Sequence, residues 1–144
     1  MGTRSITSVI ENGTILCTMY RQFDGYPSVH GADLHKFLAA LTLVNGISSA
    51  DNRRIANGAG CLAAQMVHHF KQTSTDARTS MAGNVYITAP RLKLDSEDYG
   101  YTVSVDDKLR TRIKCYVVGH GNVDDSIFCG TVAEFGEFCA KDVA

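Results

Sequence analysis

The chain has 144 residues, of which 44% are hydrophobic and 20% charged, with a formal net charge of -1, so no global charge draws it to nucleic acid or to an anionic membrane surface. That length predicts a single domain over 1–144, able to bury roughly 68–70% of its unfolded surface without covalent staples. No apolar run approaches the roughly 18 residues of a membrane span, and Met1-Gly2-Thr3-Arg4-Ser5 lacks the apolar core of a secretory signal; the expectation is a cytoplasmic protein without a membrane partner.

In chain order, two β-rich runs, Ser5 to Ile10 and Thr14 to Tyr20, flank Glu11-Asn12-Gly13, and Asn-Gly between such runs is a strong hairpin signal. Period-two alternation sends Ile15, Cys17 and Met19 to a core face and Tyr20 to the other. There follows Tyr20-Arg21-Gln22-Phe23-Asp24-Gly25-Tyr26-Pro27-Ser28-Val29-His30-Gly31, a polar and aromatic stretch on a strand-to-helix connection, where rigid elements can aim side chains at a ligand.

Leu34, Phe37, Leu38 and Leu41 recur at helical spacing and Asn45-Gly46 supplies a stop, predicting a helix from about Ala32 to Val44 with His35 and Lys36 solvated. Ile47 to Ile55 reads as an irregular connection. A second helix begins at Asn57, read as its N-cap, and stripes Leu62, Met66 and Phe70 on its core side, with Cys61, Gln65 and His68 beside them. Gly58 and Gly60 allow a bound group to approach the unpaired first-turn N–H groups.

From Gly83 the pattern predicts strands at Asn84 to Thr88, Tyr99 to Val105 and Arg110 to Val118, a loop at Gly119-His120-Gly121-Asn122, and a short strand from Ser126 to Cys129. Tyr101, Val103 and Val105 match Ile113, Cys115 and Val117 as an oily face; Thr102, Ser104, Arg110, Arg112, Lys114 and Tyr116 form a basic, hydroxyl-bearing face expected to be wet. Thr131 and Glu134 have capping-box spacing before a helix ending near Ala140. The order ββαα, then strands, then α, fits an α+β fold: an antiparallel sheet of five to six strands with two main helices and a short C-terminal helix on one face.

Arg21 suits an anion, Asp24 and His30 proton transfer, and Tyr20, Phe23 and Tyr26 stacking; alternatively Asp24-Gly25-Tyr26-Pro27 is simply good turn chemistry. The Asn57-Gly58-Ala59-Gly60-Cys61 helix start reads as an anion site, as an activated Cys61 with His30 as its base, or as a close helix contact. The five cysteines are scattered without a C-x-x-C pair, so Cys17, Cys115, Cys129 and Cys139 are expected to be small buried hydrophobes. Adjacent His68 and His69 diverge by about 100° on a helix and do not chelate one ion; neither a metal nor a cofactor is expected.

Met1-Gly2-Thr3-Arg4, Tyr20 to Pro27, His30-Gly31, Asn45-Gly46 and Asn57 to Gln65 together resemble the pattern of a family of short, functionally uncharacterised bacterial and phage proteins. The resemblance covers roughly the first half of the chain and implies that the two stretches belong together; a phage setting implies an antagonist of host defence that sequesters a nucleotide signal. The leading expectation is a homo-oligomeric protein that binds a phosphorylated or nucleotide-like molecule through Tyr20, Arg21, Gln22, Phe23, Asp24, Tyr26, His30, Asn57, Gly58, Gly60, Gln65 and Arg112. The alternatives are a hydrolase or transferase using Cys61, His30 and Asp24, and a self-assembling or protein-binding module.

Overall fold

A computed structural model of the chain describes residues 2–46, 53–73, 84–117 and 126–142. Six strands form one sheet: β1 (Ser5–Glu11), β2 (Thr14–Arg21), β5 (Val85–Thr88), β6 (Tyr99–Val105), β7 (Thr111–Val117) and β8 (Phe128–Gly130), in the order β5-β2-β1-β6-β7-β8. A small parallel pair, β3 (Thr42–Val44) with β4 (Ile55–Asn57), stands apart. The helices are α1 (Ala32–Ala39), entered through a π-type turn at Pro27–Gly31, then α2 (Gly58–Thr73) and α3 (Val132–Ala140). The fold class is α+β, as the sequence predicts. The loop read at Gly119–Asn122 and the connection over 47–52 lie outside the described residues.

The hairpin turns at Asn12 and Gly13, both with positive φ (47° and 84°), the backbone that makes Asn-Gly the preferred pair there. The sheet is mostly antiparallel, as the sequence predicts, with one parallel pair, β1 with β6. The cause is the route between β5 and β6. From the β5 edge the chain crosses β2 and β1 as an irregular strap, residues 89–98, and enters β6 running alongside β1, which becomes a central strand.

The helices cover one face of the sheet. Val9, Met19, Tyr101, Val103, Ile113 and Cys115 pack there against Leu34, Phe37, Leu62, Met66, Phe70 and Phe135; each large side chain so buried contributes about 1.5–3 kcal/mol. α3 starts with the expected capping box: Thr131 Oγ1 accepts from Glu134 N at 3.2 Å, and Glu134 Oε1 accepts from Thr131 N at 2.9 Å. Gly136 on α3 leaves room for the His35 ring, since a Cβ at Gly136 would lie 2.5 Å from His35 Nε2. His35 is therefore half-buried rather than solvated.

The second face is not simply wet. The strap closes part of it: the Arg91 carbonyl accepts from Ser8 Oγ and Thr18 Oγ1, the Leu92 carbonyl accepts from Tyr116 Oη, and Arg91 forks onto Glu97 at 2.8 and 2.9 Å. Thr102 and Tyr116 are consequently buried. α1 also stops earlier than its apolar stripe predicts. Thr42 and Val44 are β-branched and lose side-chain freedom in a helix, and here they pair with Ile55 and Asn57 instead. Among the cysteines, Cys115 and Cys139 are buried, Cys17 and Cys61 are half-buried, and Cys129, on edge strand β8, is exposed. No helix among the described residues is long and apolar enough to cross a membrane.

Candidate functional site

The connection from Tyr20 to Gly31 is held on all sides. Asn84 Oδ1 accepts from both Gln22 N and Phe23 N, at 3.1 and 2.9 Å. Asp24 adopts φ 59°, and Gly25 N donates to the Thr3 carbonyl at 2.9 Å. Gly25 fits so closely that a Cβ would lie 2.7 Å from Ser5 Cβ, and Gly2 leaves room for the Phe23 ring in the same way. The Gly25 carbonyl accepts from the buried Tyr101 hydroxyl at 2.8 Å. The N-terminal residues and the motif therefore form one packed unit.

His30 is wholly buried, its ring between those of Phe70 and Tyr101 at centroid distances of 4.8 and 4.9 Å. Its Nδ1 lies 3.4 Å from Arg21 Nη1, and its Nε2 2.7 Å from Thr7 Oγ1. A guanidinium only donates, so Nδ1 accepts and the neutral ring carries its proton on Nε2, donating to Thr7. Burial, reinforced by the Arg21 charge, holds the His30 pKa well below the ordinary value. Proton transfer to a solvent-borne substrate is closed to this residue.

Arg21 is different. It is half-buried, with Nε donating to the Phe23 carbonyl at 2.6 Å, and among the described residues no carboxylate lies within ion-pair distance of it. Burial lowers its pKa, and the more distant charges of Asp24 and Asp33 only partly oppose that. Next to it in the sheet Val85 pairs with Arg21, and the Val85 carbonyl accepts from Lys71 Nζ at 2.7 Å. Asp33 on α1 accepts from His69 Nε2 on α2 at 3.1 Å, with the His69 ring 5.0 Å from those of both Phe37 and Phe70. One corner of the molecule, at the C-terminal end of α2, thus gathers Arg21, Lys71, Asp33 and His69.

The expected aromatic platform is divided. Tyr20 points to the opposite face, meets the Tyr86 ring at a tilt of 31° with centroids 4.7 Å apart and donates to Gln22 Oε1 at 2.6 Å, so Tyr20 and Gln22 are engaged with each other. Tyr26 stays half-exposed on the Arg21 side, its hydroxyl 3.4 Å from Asp24 Oδ1, and Phe23 is exposed.

The Asn57 helix start does not join this corner. α2 runs from Gly58 to Phe70, next to His30, in twelve steps, or about 18 Å of helix rise, which places its N-terminus at the far end of the molecule. There Leu62 lines a cavity of about 290 Å³ with Leu38, Leu41, Leu43, Leu109 and Val132. Asn57 does not cap α2; its Oδ1 accepts from Gly46 N at 2.8 Å, and Gly58 begins the helix at φ 81°. Gln65 Nε2 bonds the Ile55 carbonyl and Cys61 Sγ, and Gly60 faces open space. Cys61 and His30 therefore form no nucleophile–base pair. Arg112 lies elsewhere again, in a hollow of about 280 Å³ with Asn12, Ser104 and Asp106, its guanidinium 3.8 Å from Cys129 Sγ.

Of the expected site residues, then, Arg21, Asp24, Tyr26 and His30 are brought together, while Asn57, Gly58, Gly60, Cys61, Gln65 and Arg112 are not among them. Sequence reasoning missed Asn84, Asp33 and His69. Asp33 and His69 are 36 positions apart and meet only because two helices pack on one face, so no local spacing announces the pair. No protein-family model, curated protein or solved structure matches the chain.

Proposed function

We propose that this is a small ligand-binding protein that holds a phosphorylated or nucleotide-like molecule by an anionic group at the Arg21 corner, in the manner of a sequestering protein. The observation that carries the reading is the state of Arg21: a guanidinium partly withdrawn from water whose hydrogen-bond partners are a neutral carbonyl and a neutral imidazole. A charge so placed is costly without a counter-charge, and a phosphate supplies one with the geometry the guanidinium fork prefers. Tyr26 and Phe23 lie on the same connection for contact with a flat base. Calorimetry with a panel of nucleotides and cyclic nucleotides tests the reading. The parent protein is expected to bind at least one member, with Arg21→Ala weakening it tenfold or more; silence across the panel, or an Arg21→Ala protein equal to the parent, overturns it.

A second reading, self-assembly, has its own observation. The Gln22 N to Asn84 O bond sets the phase of the β2–β5 ladder, so Val85 and Ile87 turn their backbone groups outward from the sheet. Lys71 occupies the Val85 carbonyl, whereas Tyr86 and Ile87 stand 49% and 53% exposed on this edge strand. An edge of that kind is a template for antiparallel pairing with a second copy. Sedimentation of the parent and of Ile87→Lys decides it: a dimer dissociated by the lysine supports the reading, and a monomeric parent removes it.

A further inference from the structure

We infer that the cavity at the N-terminal end of α2 is a binding site for an uncharged amphipathic molecule of the medium-chain alcohol class. The cavity, of about 290 Å³, opens where α1 ends and the chain leaves as β3, and it is independent of the Arg21 corner. Among the described residues, six aliphatic side chains line it together with Thr42 and Thr111, and no charged side chain does. Leu38 and Leu62 are buried, whereas Thr111 is half-buried and Thr42 exposed, so the walls are apolar at depth and polar toward solvent. Among the described residues neither threonine hydroxyl has a hydrogen-bond partner.

One wall is strained. Leu109 sits in the left-handed region at φ 61°, where a residue with a Cβ is disfavoured and glycine or asparagine is at ease. The turn between β6 and β7 holds it there: the Asp106 carbonyl accepts from Leu109 N at 3.0 Å, and Asp106 Oδ1 accepts from Lys108 N and Arg110 N, both at 2.9 Å. An isobutyl group thus stands on the cavity wall from a backbone with little freedom left to lose on binding. The volume suits a body of roughly eight to ten carbons, since an apolar cavity of about 150 Å³ already takes benzene. A carboxylate or an ammonium group would lose water there without meeting a counter-charge. A plain hydrocarbon would cover the two hydroxyls without bonding them. An alcohol does neither, because its O–H both donates and accepts, as each threonine hydroxyl does.

Octanol and octanoate, which share a chain length, are the probes. Leucine methyl signals of the full chain are followed by NMR at neutral pH during each titration, with the Leu109 signals identified by their absence from Leu109→Met. The titrations are run on the parent, on Leu43→Trp and on a double variant, Thr42→Val with Thr111→Val. The expected result is a Leu109 shift that saturates with octanol, octanoate binding at least tenfold weaker, an at least threefold loss in the double threonine variant, and no saturation in Leu43→Trp, whose larger ring fills the space. The parent titrations answer the question even where a variant folds poorly. Leu109 signals unmoved up to the solubility limit of octanol, or equal affinity for octanoate, overturn the inference. So do Leu109 signals that move with protein concentration and not with octanol, alongside a dimer in sedimentation, since the cavity then meets a second copy of the chain.

Discussion

The Thr7 hydroxyl and His30 Nε2 lie 2.7 Å apart, and neither residue is more than 1% exposed. This bond joins the central strand β1 to the π-type turn before α1, and the Arg21 Nη1 contact at the other ring nitrogen, 3.4 Å from Nδ1, is what requires a neutral imidazole. Burial first, and the Arg21 charge second, depress the folded-state pKa of His30 well below its ordinary 6.5. Below pH 6.5 the unfolded chain therefore binds a proton that the folded chain refuses. Stability from this source is fully present above that pH and falls as pH drops, by about 1.4 kcal/mol per unit until the folded-state pKa is reached. Urea unfolding between pH 7.5 and 5 is expected to show this slope, and His30→Gln, though less stable at pH 7, is expected to flatten it.

The Asp24 backbone has φ 59°, where a residue with a Cβ is strained by roughly 1–2 kcal/mol and a short polar side chain or glycine is tolerated. Asp24→Gly is expected to unfold at or above the parent's midpoint and Asp24→Ala about 1 kcal/mol below it. Equal loss in both variants shows instead that the carboxylate itself stabilises the fold, through Tyr26 or Arg21.

What was readable in the chain was local. Asn12-Gly13, the alternation along β6 and β7, the Leu34–Phe37–Leu38 stripe and the Thr131/Glu134 box each encode their structure within a few residues, and each stands where expected. The parallel β1–β6 pairing is not local: it depends on a strap whose anchors, Ser8, Thr18 and Tyr116, are spread along the chain. The end of α1 is hidden in the sequence because Leu41 continues a helical stripe while Thr42 and Val44 favour the strand that β4 completes. The site was half legible for the same reason. Arg21, Asp24 and His30 are close in sequence, but whether Asn57 or His69 lies beside them depends on the direction in which α2 crosses the sheet, which periodicity does not contain.

Gly100 on β6 lies under the Tyr116 ring so closely that a Cβ would stand 2.2 Å from Tyr116 Cζ. The ring is buried and its hydroxyl is bonded to the Leu92 carbonyl, so it cannot swing aside without opening the strap. Gly100→Ala is expected to cost about 2–3 kcal/mol as overpacking, and Gly100→Ala with Tyr116→Leu less than the sum of the two single changes, because the pair share one contact. Additive losses in denaturant melts mean that the ring does not press on Gly100.

Glu97 ties the strap to itself. It is 2% exposed, receives both Arg91 nitrogens at 2.8 and 2.9 Å, and accepts Asp95 N at 3.0 Å. The hydrogen bonds from Arg91 are the main cause holding its pKa below the ordinary 4.5, against the opposing effect of burial. The sign follows: the folded chain sheds this proton more readily than the unfolded one, so the stabilisation is complete above about pH 4.5 and is lost as pH falls below it. Glu97→Gln removes the charge at every pH and leaves Arg91 without its partner, a change expected to cost about 2–4 kcal/mol. Because Arg91 also anchors the strap through its backbone, the loss is expected to be local before it is global. Hydrogen exchange over residues 91–98 should accelerate at least tenfold in Glu97→Gln, while Cys115 and Val103, covered by the helices on the opposite face, keep protection set by global stability. Equal acceleration in the strap and in those strands means that the strap has no independent opening, and that the Arg91–Glu97 fork contributes to the fold only as a whole.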